Sequence, residues 1–359
     1  MKILFGICTW GLGHATRDLP IIRRLLEKGH SVTIATSGRS LEVLKKEVPE
    51  CKFIDFPDYP APYTKSSLFA LKFTTYLPHL VRMVRKEKKR FGKLLNKEKY
   101  DLVIADCRYG FNSREVPCFF ITHQPRFIVP KRVRPVERTL EYLNYTFLRK
   151  FTKIFIPDYE MNGLTGDLSH SLRFYNGKPL EYIGILSAMQ EVDTEQDIDY
   201  FISISGPEPQ RTIFEDIIMP QLNSLAGNIV ITLGKPEENV KNIIKTKKAT
   251  ITIFSYLAPE QQQLMFNKAK MVVSRSGYTT LMDLAQLGKK ALFVPTVGQT
   301  EQEYLSHYHN KQKTWYSVRQ KKFKLARDLK IAEQYPGFSK CNTQESVDRF
   351  MKHVDALVK

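Results

Sequence analysis

"KMVVSRSGYTTLMDLAQLGKKALFVPTVGQTEQEY", residues 270–304, spells out a complete strand–turn–helix–strand–loop unit. Met271 to Val273 form a short apolar run rich in β-branched residues, which reads as a buried strand ending at Ser274. Ser276 and Gly277 make the turn, a helix is expected over 278–287, and Gly288 stops it. "KALFVPT" then supplies the next buried strand. The first turn of such a helix leaves the N–H groups of Tyr278, Thr279 and Thr280 without intrahelical partners. Its dipole favours an anion there by about 0.3–1 kcal/mol. Ser276 and Gly277 leave space for a phosphate, although capping alone also explains Ser276. Asp283, less than two turns into the helix, could accept hydrogen bonds from vicinal hydroxyls such as those of a ribose. Gln299, Glu301, Gln302 and Glu303 follow the second strand, where amides and carboxylates suit a polyhydroxylated sugar.

The same alternation runs outward in both directions. Towards the C-terminal half's own start lie "YFISISG", "NIVITLG" and "ATITIFS", with helices expected at 209–225, 258–269 and 299–310. Before the acidic stretch "EVDTEQDID" (191–199) comes a second series, "KILFGIC", "SVTIATS", "CKFIDFP", "DLVIADC" and "PCFFITH", with helices at 18–28, 39–48 and 66–96. Short buried strands separated by helices imply an α/β chain with parallel sheets covered on both faces. At 359 residues the chain is too long for one ordinary core. The expected organisation is a Rossmann-like domain over 1–187, a linker at 188–198, a second over 199–340, and a helix within 341–359. That closing helix carries Val347, Phe350, Met351 and Val354 on one stripe.

Composition excludes several classes. Hydrophobic residues make up 42% and charged residues 26%, as in globular proteins. No apolar run approaches the ~18 residues that cross a bilayer, and the first strand is too short for a secretory leader. The five cysteines show no CxxC spacing, so neither a zinc site nor a disulfide framework is expected and a cytoplasmic location is.

Near the start, "FGICTWGLGHATR" (5–17) is another strand running into a glycine turn. It lacks a full dinucleotide fingerprint, since Thr16 stands where the third glycine belongs. His14 follows Gly13 directly, and imidazole is the side chain that exchanges a proton near neutral pH. Asp106 ends "DLVIAD" and would emerge on the same sheet edge.

The order G-x-G-H after the first strand, S-R-S-G opening a C-terminal helix, an acidic residue six positions on, then V-P and a glutamine-containing loop resembles the GT-B glycosyltransferases. It is most like the family 28 (MurG-like) type. The resemblance implies two Rossmann-like domains facing across a cleft, donor on the C-terminal one and acceptor on the N-terminal one. It implies that Ser276, Gly277, Tyr278 and Thr279 hold a diphosphate and that Asp283 takes the ribose hydroxyls, where the family more often has Glu. Gln302 and Glu303 match a Gln-Gln pair that reads the donor sugar, with Glu303 as a departure. "SISGPEPQR" (203–211) stands at a diphosphate-facing loop, with Ser205, Gly206 and Arg211 as candidates, and "FSYLAPEQ" (254–261), including Tyr256, at the base-binding loop. His14 is the implied general base and Asp106 its partner by analogy. Gly13, Arg17, His123 and Gln124 fall on the acceptor side, Arg17 towards an acceptor phosphate.

The implied reaction is an inverting, metal-independent transfer of a hexose or N-acetylhexosamine from a nucleoside-diphosphate sugar, UDP-linked, to a lipid-linked or glycan acceptor. The nucleotide sugar is a substrate, and no cofactor is expected. A net charge of +18, from 55 Lys and Arg against 37 Asp and Glu, favours an anionic partner. Residues 60–99 combine apolar positions with a basic tail, which suits the anionic inner face of the plasma membrane. Nucleic acid is not expected, for want of any recognition pattern. Two alternatives stay open: a catalytically inactive nucleotide-sugar-binding or scaffold protein, and a nucleotide-sugar 2-epimerase.

Overall fold

A computed structural model describes residues 1–59, 69–177 and 180–358, without the side chains of 69–77. Part of the apolar stretch expected at a membrane, 60–77, therefore lies outside the described side chains. The chain divides into two compact units, Met1–Ala188 with Asn342–Lys359, and Met189–Cys341.

The first unit contains β1 (Lys2–Ile7), α1 (Leu12–Glu27), β2 (Ser31–Thr36), α2 (Gly38–Glu47), β3 (Lys52–Asp55), α3 (Phe69–Lys97), β4 (Leu102–Asp106), β5 (Cys118–Ile121), α4 (Arg134–Leu148), β6 (Lys153–Ile156) and β7 (Leu180–Tyr182). Its seven strands pair in the order β3-β2-β1-β4-β5-β6-β7, all parallel. Leu4, Val103, Phe120 and Ile154 are buried with Phe91, Phe111 and Phe151 on one side of the sheet. The order reverses between β1 and β4, which is where open α/β sheets gather ligands at their carboxyl edges. Both His14 and Asp106 leave the sheet there.

Helix α1 starts at Leu12, earlier than the apolar stripe alone suggests. Gly11 adopts φ +124°, a conformation natural to glycine, and serves as N-cap. His14 and Arg17 thus lie three residues apart on one helical face. The closing helix, Thr343–Asp355, also belongs to this unit. Asn342 caps it by accepting from the N–H of Gln344 at 2.9 Å. Phe350 packs against the rings of Phe119 and Phe155, and Asp348 and Asp355 pair with Arg24 and Lys28 of α1.

The second unit contains β8 (Ile198–Ser203), α5 (Gln210–Ile218), β9 (Gly227–Thr232), β10 (Lys241–Lys245), β11 (Ala249–Phe254), α6 (Pro259–Lys268), β12 (Ala269–Ser274), α7 (Tyr278–Leu287), β13 (Lys290–Phe293), α8 (Thr300–Lys311), β14 (Tyr316–Ser317) and α9 (Leu325–Ala332). Its order is β10-β11-β9-β8-β12-β13-β14, parallel except for the exposed edge strand β10. Here the reversal falls between β8 and β12. The loops that follow those two strands, 204–209 and 275–277, are the two expected to face a diphosphate. Each sheet is thus the Rossmann-like parallel sheet expected of its half.

Candidate functional site

In the first unit four of the expected residues meet in one cluster. His14 Nδ1 lies 2.8 Å from Asp106 Oδ2. Arg17 binds both oxygens of Asp106 through Nε and Nη2. Its Nη1 lies 3.0 Å from His123 Nδ1, and its Nη2 3.0 Å from His14 Nδ1. Arginine has no acceptor, so His123 must accept at Nδ1 and carry its proton on Nε2. At His14 the carboxylate and the guanidinium compete for one nitrogen. The shorter contact to a full negative charge favours Nδ1–H donating to Asp106, which leaves the lone pair on Nε2.

Burial acts to raise the Asp106 carboxyl, but Arg17 and then His14 outweigh it and hold it well below the ordinary range. Burial likewise opposes the charge on Arg17, and Asp106 more than restores it. Asp18, one residue on, is fully buried and neither of its oxygens meets an N–H or hydroxyl donor. Burial first, and the neighbouring Asp106 charge second, push this carboxyl well above its usual range. Burial and the Asp106 charge thus both favour the protonated form of Asp18. No motif marks it in the sequence.

Arg17 is 1% exposed and committed to Asp106 and two histidines, so it does not reach an acceptor phosphate as the sequence suggested. Its place is inside the buried cluster of Asp106 and the two histidines. His14, Asp106 and Cys107 also bring potential metal-donor atoms within 4.8 Å of one another. The Arg17 guanidinium contacts all three, down to the Cys107 sulfur at 4.0 Å, so the cation of this cluster comes from the chain itself. Gln124 donates its N–H to the Thr122 hydroxyl at 3.1 Å beside His123. Gly13 lies in the first turn of α1.

A second buried ion network stands next to this one. Arg108 Nε is 2.6 Å from Glu87 Oε1, and Nη1 is 3.4 Å from Asp58. Tyr59 donates to Glu87 at 2.7 Å, and the Gly110 N–H does the same. This network fixes α3 and the loops after β3 and β4. Glu87 is the single acid in the α3 sequence, so turning it inward leaves Arg82, Arg85, Lys86, Lys88, Lys89, Arg90, Lys93 and Lys97 exposed with no acid among them.

In the second unit the expected turn is present, with differences in detail. Gly277 caps α7 without any side-chain cap. The Ser276 hydroxyl turns inward, donating to the Gln302 carbonyl at 3.0 Å and bonded to the Ser306 hydroxyl at 2.9 Å. The Tyr278 side chain is buried too. What Ser276 and Tyr278 offer a ligand is thus backbone N–H, not hydroxyl. At Gly277 φ is −68°, and an added Cβ would meet no atom of the protein closer than 3.9 Å. Neither conformation nor packing within the chain requires glycine there, which leaves room for a bound group.

Around it, Gln302 is buried and accepts from the Thr296 N–H at 2.9 Å, with its Nε2 nearest Gly277. Glu303 is exposed and accepts from the Gly298 N–H at 3.0 Å. Thr279 and Asp283 are half-buried on α7. Ser205 and Gly206 are exposed after β8, Gly206 at φ +118°. Arg211 is held by Glu208 and Glu237 and by the Gly234 carbonyl, so its charge is already matched. Tyr256 is exposed, while Ser255 beside it pairs with Val240 in both directions. A cavity lined by Glu191, Asp193, Asn267 and Lys289 opens at the other sheet edge, before β12 and β13, and takes no part.

Residues 215–351 match the glycosyltransferase family 28 C-terminal domain, and residues 1–157 match a domain described as glycosyl transferase family 1. An uncharacterized glycosyltransferase of Methanosarcina mazei is 24% identical over 324 residues, covering 84% of this chain and 82% of its own. The UDP-N-acetylglucosamine–N-acetylmuramyl-(pentapeptide) pyrophosphoryl-undecaprenol N-acetylglucosamine transferase of Sulfurihydrogenibium is 24% identical over 289 residues, covering 79% and 74%. Among solved structures, the Acinetobacter baumannii MurG aligns with a TM-score of 0.58 at 12% identity over 99% of this chain and 98% of its own. The kitacinnamycin glycosyltransferase aligns at 0.63, with 12% identity and the same coverage. Both structural likenesses are likenesses of fold.

Proposed function

The chain belongs to the GT-B glycosyltransferases, with a C-terminal domain of the family 28 type, and from that premise we propose what it transfers and how. A hexosyl or N-acetylhexosaminyl group passes from a UDP-linked sugar to a lipid-linked or glycan acceptor, with inversion. The observation that carries this reading is the 2.8 Å contact of His14 Nδ1 with Asp106, which leaves Nε2 free to take a proton. As the acceptor oxygen bonds to the anomeric carbon, its proton moves to His14 Nε2. The bond from that carbon to the diphosphate oxygen breaks, and the nucleoside diphosphate leaves with the electron pair. Asp106 then faces an imidazolium, the form a carboxylate stabilises.

The charge of the leaving diphosphate falls to the α7 N-terminus: the N–H groups of Gly277, Tyr278 and Thr279, together with Ser205 and Gly206. Asp283 takes the ribose hydroxyls, Gln302 and Glu303 the sugar, and the chain around Tyr256 the base. Gly13, His123 and Gln124 stand on the acceptor side. The step uses no metal ion. The named activity of the Sulfurihydrogenibium relative supports the UDP donor and the lipid-linked acceptor. The acid-free face of α3 supports docking at an anionic membrane surface. Among the described residues no helix is long and apolar enough to span one.

Calorimetry and thermal shift with UDP, GDP, dTDP, CMP and ADP, followed by the corresponding sugars, test the reading. Stabilisation by UDP, deepened by one UDP-sugar, is expected. Silence towards every nucleotide would favour a scaffold without donor binding. Conversion of the donor in the absence of acceptor would instead point to an epimerase.

A further inference from the structure

Four arginines are buried among the described residues, and three sit against carboxylates: Arg17 on Asp106, Arg108 on Glu87 and Asp58, Arg126 on Glu141. The fourth, Arg275, is 3% exposed and has no carboxylate partner. It immediately precedes Ser276 and Gly277. Its Nη1 donates to the carbonyls of Val294 at 3.0 Å and Pro295 at 3.3 Å and to Gln320 Oε1 at 2.8 Å. Its Nη2 donates to the Gln210 carbonyl at 3.0 Å, and the guanidinium lies 4.0 Å from the centre of the Phe214 ring. The Nε–H meets no acceptor. Burial alone pushes the group down to about 10, so it still carries its charge at neutral pH.

Carbonyl dipoles and an aromatic face compensate only part of a buried positive charge, and a full counter-charge is missing. Arg275 itself follows β12, and its partners come from the segments that follow β8, β13 and β14, at the carboxyl edge where this sheet changes direction. Arg211, the cation singled out from the sequence, is already neutralised by Glu208 and Glu237. We propose that Arg275 is a positioning residue whose missing counter-charge is the diphosphate of the nucleotide sugar. It ties the three loops together and leaves a net positive field under the turn at 275–277, without touching the ligand. This inference rests on the donor reading above and names the residue that makes that site select a diphosphate over a bare nucleoside.

The test is calorimetry of wild type, Arg275→Met and Arg275→Lys with UDP, GDP, dTDP and ADP and with each parent nucleoside. For the diphosphate that wild type binds best, Arg275→Met should weaken binding by about 10- to 100-fold. The nucleoside should change by less than about threefold, and Arg275→Lys should recover about tenfold of the diphosphate loss. Parallel losses for nucleoside and diphosphate, or no loss at all, would overturn the inference while leaving the donor site standing. Wild type that binds no diphosphate would overturn the donor reading and this inference together. Should the Met variant not fold, the wild-type preference for diphosphate over nucleoside is measured between about 0.05 and 0.5 M salt. A buried charge is weakly screened, so a fall of less than about threefold is expected. A collapse of the preference would place the attraction on surface lysines and overturn the proposal.

Discussion

The turn after β1 and the turn after β12 each leave a central strand at the point where its sheet reverses order, on opposite sides of that reversal, and each has a buried arginine beside it. After β1, Arg17 meets its counter-charge inside the protein: Asp106 binds it through both oxygens, and Asp18 beside it is pushed towards its protonated form. The cluster has no net charge to offer a ligand, and its effect is to orient two histidines. After β12, Arg275 is held by carbonyls and a ring, and its charge stays unmatched. On the proposed function, one arginine sets the direction of a proton, whereas the other prepares for an anion. Residue type and burial are the same, and the presence or absence of one carboxylate separates the two roles.

The largest effect that could break this comparison is expected at His14. His14→Ala should lower kcat by about 10²-fold or more and leave nucleotide affinity nearly unchanged, as read by steady-state kinetics and calorimetry on one preparation. An unaltered kcat would remove the first turn from the chemistry. A smaller loss, about tenfold in kcat, is expected for Arg17→Met, because the ring loses one of the groups that fix it. Diphosphate affinity should hold in Arg17→Met and fall in Arg275→Met, and equal losses in both would erase the distinction.

The smallest expected effect is on stability. The folded-state titration of Asp18 is raised, so the folded protein keeps a proton that the unfolded chain releases above about pH 4. Stability from this group is fully present below that pH and declines as pH rises. Asp18→Asn, which mimics the neutral acid, should therefore raise Tm by a few degrees at pH 7, with the difference closing towards pH 4. A lower Tm at pH 7 would mean that Asp18 is ionised in the folded state.

Strand positions and glycine turns were legible because a buried parallel strand must be apolar and bounded by turn residues, a pattern visible within a single run. Weaker elements escaped it. β7, β10 and β14 are short or exposed edge strands, and β10 shows no inward-facing apolar alternation because all five of its residues face solvent. Helix α1 begins before its apolar stripe, since Gly11 and Gly13 obscure a first turn that His14 and Arg17 anchor through Asp106.

Side-chain roles were legible only in part. The strand pattern put His14 and Asp106 at the same sheet edge, while their pairing came from the family resemblance; that β1 and β4 are neighbours is seen only in the fold. His123, two residues beyond the end of β5, joins them through Arg17. Ser276 shows the limit: a serine beside a glycine turn suits a phosphate or a cap, yet its hydroxyl binds the Gln302 carbonyl inside the protein.

The amino-acid sequence by itself determined the alternation of strands and helices, the two-unit α/β architecture, and the sheet edges at which chemistry-bearing residues collect. These follow from apolar periodicity and from the right-handed crossovers that parallel strands require. Tertiary structure alone decided which charges cancel. Arg17 lies 89 residues from its carboxylate, and Arg275 donates to residues 19 to 65 positions away, none of them acidic. Electrostatic compensation depends on distance through space and on the exclusion of water, and neither is written in the spacing of residues along the chain.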